Sequence, residues 1–276
     1  MKPGLNPFLS CNLNSSVILS FVIVILMGGL SLAGLIFPEK LYPLEEAIQS
    51  FMVNDVINLF IVLPILLGSM WLAWRGELIG TLFWPGALLV VFYNYTAYVF
   101  GIPINPFTFM YFILIILSTY TIFDILKRIN GQSVKARLEG KVPAKFGGGF
   151  LVIFGAAFLF RAAGMLSRVI REQAALPSLE TGVLVADAIL SFLWIAGGVI
   201  LLKRAPLGFV SGLGLLFAAS MLFIGLILFL LIQPLLTDVR FMVSDVLVVF
   251  LMGLVCFIPF LLFARGTVST GNSSKV

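Results

Sequence analysis

Histidine is absent from this 276-residue chain, charged residues make up only 11% of it, and it has two cysteines. Without histidine there is no bis-histidine haem, no histidine-ligated zinc and no Ser–His or Cys–His nucleophile pair. Cys11 and Cys256 are not in a C-x-x-C arrangement. The first precedes the first apolar run and the second lies within the last. Neither a disulfide nor a dithiol redox centre is therefore expected, and Cys256 reads as a small buried apolar side chain. No lysine falls inside an apolar run, which argues against an intramembrane Schiff base. Walker A, HExxH and GxGD patterns are missing. Gly208 to Gly212 reads GFVSG, whose serine is one place too late for a nucleophile elbow. The sequence therefore assigns no catalytic residue, no metal ligand and no cofactor.

What is present is oil. The chain is 61% hydrophobic with a mean hydropathy of +1.16, whereas a soluble domain is about half apolar and a quarter charged. Eight apolar runs are read at 17–37, 56–74, 78–100, 107–126, 149–170, 183–202, 207–233 and 246–264, each long enough for a spanning helix. The expected class is an all-α integral membrane protein. The stretch KRINGQSVKARLEGKVPAKFG at 127–147 reads as a solvated basic linker between a first unit, 1–126, and a second, 148–276. The opening apolar run is expected to be a span and not a signal peptide, because its flank carries one lysine and the repeat described below needs the helix.

Basic residues crowd one set of links. Lys2, Arg75, Lys127, Arg128, Lys135, Arg137, Lys141, Lys145, Lys203, Arg204, Arg265 and Lys275 alternate with a far side holding only Lys40, Arg168, Arg171 and Arg240. The positive-inside rule then places both termini in the cytoplasm, the membrane being the plasma membrane. The net charge of +5 is accounted for by those links, so no nucleic-acid partner is read from it. The expected partners are the lipid bilayer, a small solute or ion, and a membrane-protein partner or second copy.

An internal repeat is visible. GSMWLAWRGELIG from Gly68 matches GGVILLKRAPLG from Gly197 with one gap, PLEE from Pro43 faces PSLE from Pro177, and Asp55 faces Asp187. Pro103 and Pro234 end the third helix of each half, and Arg128 and Arg265 close the fourth. Two four-helix units in the same orientation are expected, related by a pseudo-two-fold axis along the membrane normal. A pathway could lie between them. Small-residue packing at Gly28, Gly29, Gly34, Gly197, Gly198, Gly208 and Gly212 would equally hold a structural bundle.

Arg161 sits about twelve residues into the fifth run, close to the midplane at ~1.5 Å per residue. An arginine there costs ~2.5–3.5 kcal/mol on insertion scales and needs a partner. It either contacts an anion on a central cavity or pairs with an aspartate of a neighbouring helix. Arg168 and Arg171 continue the stripe outward. Asp55, Asp187 and Asp245 fall at span starts, where capping competes with a paired outer-mouth site. Asp124 is expected to pair along its helix with Lys127 or Arg128. Tyr95 and Tyr98 are placed toward the outer interface, and Asn94 lies deeper, as interhelical glue or cavity lining.

The run from GSMWLAWRGELIG through WPGALLVVFYNYTAYVFG, with GGVILLKRAPLGFVSG, resembles an uncharacterised group of prokaryotic multi-pass membrane proteins. Each half also resembles DoxX-like four-helix modules in its order of Gly-Gly, aliphatic run, basic residue and small-residue helix, while Asp55 and Asp187 lie farther from those glycines than in that layout. The resemblance implies architecture and no activity. Three functions stay open: transport of a small solute or ion through a cavity between the repeats, a non-transporting scaffold or accessory subunit, and an intramembrane enzyme acting on lipid or quinone.

Overall fold

The computed structural model describes residues 8–10, 12–173 and 176–272; Lys2, Cys11 and Lys275 lie outside them. Helices follow in the order α1 (Asn14–Ile36), α2 (Pro38–Leu41), α3 (Glu45–Ile57), a π-helical turn (Asn58–Val62), α4 (Leu63–Trp74), α5 (Leu78–Gly101), α6 (Thr108–Arg128), α7 (Gly131–Leu138), α8 (Ala144–Glu172), α9 (Ser178–Leu202), α10 (Pro206–Leu236) and α11 (Val243–Asn272). The only β pairing among the described residues is a lone antiparallel bridge, Leu9 to Ile129. Eight of the helices are long and apolar enough to cross a membrane, counting α3, the π turn and α4 as one.

Helix ends differ from the apolar runs where polar residues find partners. The second span was expected from 56, yet its helix starts at Glu45, because Asn54 and Asp55 are satisfied by other helices and do not mark a boundary. The 127–147 linker is also not simply solvated. Asn130 caps α7 by accepting from the Ser133 N–H, and Val134 and Leu138, one turn apart on that helix, are fully buried. The link contains an amphipathic helix docked on α10, with Lys135 and Arg137 half-buried at the flanks of the docked face.

α5 is the centre of the bundle, packing on α4, α6, α9 and α10. α10 in turn packs on α9, α11 and α3. Glycine sets the tightest crossings. A Cβ on Gly86 of α5 would meet the backbone of Gly214 on α10, and one on Gly182 of α9 would meet Ala97 and Gly101 of α5. Gly148 and Gly198 oppose each other between α8 and α9, where Gly155 also lies on Ser191. Close backbone approach and dispersion hold such crossings together. Buried polar groups are paired across it: the Trp84 indole donates to Ser20 Oγ at 3.0 Å, and that of Trp194 to the Leu215 carbonyl at 3.2 Å. Cys256 is buried, as expected from its place in the last span.

The two halves close differently at the end away from the basic links. In the first half, Leu41 and Tyr42 fold over the helix ends and are buried. In the second half, α8 has no buried residue beyond Gly155 and α10 none from Leu222 onward among the described residues. The first turns of α11 are exposed as well.

Candidate functional site

Polar groups gather at two places. The first surrounds Asp55, whose side chain reaches the α1 backbone at Gly34; a Cβ there would collide with both the carboxylate and the Tyr42 hydroxyl. Asp55 is 1% exposed. It accepts hydrogen bonds from Tyr42 and, at 3.0 Å, from Tyr98. Burial first, and then the neighbouring carboxylate, hold the Tyr42 hydroxyl protonated well above the ordinary tyrosine range. The rings of Tyr42, Phe51, Tyr95, Tyr98 and Tyr111 pack on one another, with Tyr98 and Phe51 only 4.4 Å between centroids. Ser31 stands beside both Asp55 and Tyr95. The hydroxyls of Ser31, Tyr95 and Tyr111 are buried without completing a hydrogen bond among the described residues.

One turn further, Asn58 opens the π-helical segment and is fully buried. Asn94 donates to its side-chain oxygen at 2.7 Å, the interhelical partner that Asn94 was expected to need. The Asn58 amide nitrogen has no acceptor among the described residues. The π turn comes just before Pro64, which removes an N–H from the following turn. Single π turns inside α-helices frequently accompany functional positions.

The second place is Asp187, also 1% exposed. Arg161 of α8 forms an ion pair with it, and Tyr93 of α5 donates to its other oxygen at 2.9 Å. Three helices, two from one half and one from the other, therefore meet on one carboxylate. The guanidinium lies over the Phe158 ring, 5.5 Å from its centroid. Its side chain is 47% exposed. Of the two expectations for Arg161, the aspartate pair is the one observed, with the guanidinium still accessible on its outer side.

Capping does not account for Asp55 or Asp187. At ~1.5 Å per residue each lies ~13–15 Å inside its helix, because α3 begins about three turns, and α9 more than one turn, before the apolar runs. Tyr95 and Tyr98 lie in the last two turns of α5 and are buried in the cluster. Arg168 pairs with Glu172 at 3.3 Å on an exposed turn and joins neither carboxylate. Asp245 sits in the first turn of α11 with the Ser244 hydroxyl donating to it at 3.2 Å, exposed and apart from both places. Asp124 pairs with Arg128 as expected and also accepts from Ser16 at 2.6 Å, fastening α1 to α6 at the basic end.

At that end too, a cleft of about 600 Å³ is lined by Glu139, Lys145, Arg204 and Phe209, with Arg204 3.9 Å from Glu139. Between the halves, α5 and α10 cross in close contact at Gly86 and Gly214. No group of three or more Asp, Glu or Cys that would hold a metal ion occurs among the described residues.

Tyr42, Tyr93, Tyr111 and Ser31 were not singled out as contacts to the carboxylates. A tyrosine in an apolar run is ordinary, and only the helix packing brings these four to Asp55 and Asp187. The chain matches no family model, no curated protein and no solved structure.

Gly34 gives a direct check on the first cluster. Gly34→Ala is expected to lower stability by about 1–3 kcal/mol, since the new methyl must displace a buried carboxylate and a phenol. Gly29→Ala on the same helix meets open space and is expected to be neutral or stabilising. Thermal unfolding of the two purified variants reads the difference; equal midpoints would mean that α1 does not pack on Asp55.

Proposed function

We propose that the chain is a multi-pass plasma-membrane protein with both termini cytoplasmic, built from two tandem four-helix repeats. It moves a small solute or ion, using Asp55 and Asp187 as its working groups. The repeat reading is supported by the glycines. Gly80 and Gly208 are matched in sequence, and six residues beyond them stand Gly86 and Gly214, which touch each other. An element on a two-fold axis meets its own copy, as these two positions do. Gly80 packs on Leu72 and Ala73 as Gly208 packs on Ile200 and Leu201. Each third helix, α5 and α10, also packs on the second helix of the other half, α9 and α3 respectively.

The observation that carries the transport reading is the unequal treatment of two matched carboxylates. Both are almost fully buried inside candidate spans. Asp187 has a cation built in, while phenols and a serine stand around Asp55 among the described residues. An intramembrane carboxylate is expensive and belongs by default to an ion or proton path. The path runs beside the axis, through the two polar clusters, because the glycine crossing closes the seam itself. Arg161, half exposed where α8 and α11 present uncovered side chains, is the contact for an anionic solute group.

Reconstitution on a supported membrane tests this. Concentration jumps of small inorganic and organic ions are expected to evoke charge movement that Asp55→Asn abolishes and Arg161→Gln weakens. A wild-type protein silent across such a set, and recovered in fixed ratio with another membrane protein, would favour the scaffold reading. That alternative draws on the closed α5–α10 seam and on the exposed apolar outer turns of α8 and α11.

A further inference from the structure

We propose that the Asp55 cluster is a binding site for a sodium-sized monovalent cation. The inference extends the transport reading, from which it takes Asp55 as a working group, and names the ion that would be coupled.

The argument starts from charge. At the matched position in the other half, Asp187 is neutralised by Arg161. The position of α1 that corresponds in sequence to Arg161 is close to Met27, which is fully buried, and Ser31 follows one turn on. A carboxylate buried with hydroxyl donors alone leaves a full charge in a low-dielectric interior, which is costly unless a cation or a proton joins it.

The second step is the surplus of oxygen. Asp55 supplies two oxygens, and Tyr42 and Tyr98 are already on it. Ser31, Tyr95 and Tyr111 add three more hydroxyls, each buried to less than 1 Å² and none in a well-formed hydrogen bond among the described residues, although Ser31 stands within reach of Asp55 and Tyr95, and Tyr111 within reach of Tyr42. Buried polar groups are paired in the great majority of cases, and an orphan calls for a bound water or ion. Three orphans around one carboxylate call for a ligand that accepts several oxygen donors at once, which a cation does.

The third step is which cation. Every candidate ligand is a hard oxygen, which suits alkali and alkaline-earth ions and not the softer transition metals. One carboxylate balances one positive charge; calcium sites recruit several carboxylates. The α1 backbone at Gly34 presses on Asp55 and Tyr42 and keeps the place small, which favours sodium over potassium.

Purified full-length protein in detergent, unfolded thermally in sodium, potassium or choline chloride at one ionic strength, reads the binding at equilibrium. A ligand that binds the folded state raises the midpoint with concentration. Sodium is expected to raise it progressively and choline not at all. Asp55→Asn removes the response, Tyr111→Phe, which deletes one oxygen and keeps the ring, shifts it to several-fold higher sodium, and Asp124→Asn leaves it intact. If Asp55→Asn does not fold, Tyr111→Phe and Tyr95→Phe carry the test. Equal midpoints in sodium and choline, or an unchanged sodium response in Tyr111→Phe and Tyr95→Phe, overturn the proposal, as does a midpoint that follows pH and ignores sodium, which would assign the place to a proton. Because no transport is measured, a silent transporter and an empty cation site give separate results.

Discussion

Gly86→Val is expected to prevent stable folding. A Cβ at Gly86 lies 2.5 Å from Gly214 Cα and 2.8 Å from its carbonyl oxygen. Both obstacles are backbone, so no side chain can rotate aside, and α5 and α10 must separate. Their separation would open contacts made by Leu82, Leu88, Leu213 and Leu216, all fully buried. Overpacking typically costs about 1–3 kcal/mol, and a rigid obstacle on both helices puts this site at or above the upper end.

Alanine scanning of three glycines on these helices gives a ranked result. Gly86→Ala is the most damaging. Gly214→Ala, whose Cβ would stand 2.9 Å from the Gly86 nitrogen, is next. Gly225→Ala points into open space and is neutral or gains up to about 1 kcal/mol in helix propensity. Gel filtration and thermal unfolding of the purified variants check the order. A monodisperse Gly86→Ala protein with the wild-type midpoint would remove the close crossing, and with it the support for a two-fold axis there.

Eight helices long and apolar enough to cross a membrane were legible in the sequence, because apolar length is a local property that needs no knowledge of neighbours. Where the helices begin was less so. Glu45 to Asp55 carries glutamates, glutamine and asparagine, and a hydropathy reading stops at 56; only the partners Tyr42 and Tyr98, thirteen and forty-three residues from Asp55, let that stretch be helix. The two aspartates were placed at span starts, with capping as one of two readings, for the same reason. Arg161 shows the other side of this. A guanidinium deep in an apolar run must have a partner, so a neighbouring aspartate was an available expectation from the sequence, and the partner is Asp187, twenty-six residues on. The burial of Tyr95 and Tyr98 was not legible, because an aromatic on an outer face near a helix end and one in a buried cluster have the same local sequence. The docked face of α7 carries only Val134 and Leu138, too short a pattern to stand out among lysines and arginines.

The ion pair between Arg161 and Asp187 is expected to respond asymmetrically to mutation. Its two members differ in burial: the aspartate side chain is 2% exposed and the arginine side chain 47%. Arg161→Leu strands a buried carboxylate with Tyr93 as its remaining donor, and breaking a buried pair in this way costs about 3–5 kcal/mol. Asp187→Leu instead frees a long side chain that already reaches the surface. Its long stem lets it lean out of the pair and gather other polar groups, so the loss is expected to be smaller than that of Arg161→Leu. The double variant Arg161→Leu/Asp187→Leu removes both charges and their desolvation together, and is expected to approach wild-type stability. Thermal midpoints of the three variants close the cycle. Equal losses in the two single variants, or a double variant worse than their sum, would show that the guanidinium is not the member free to leave. The double variant also separates architecture from work: folded like the wild type yet electrically silent on the supported membrane, it would identify this pair as a transport element and not a strut.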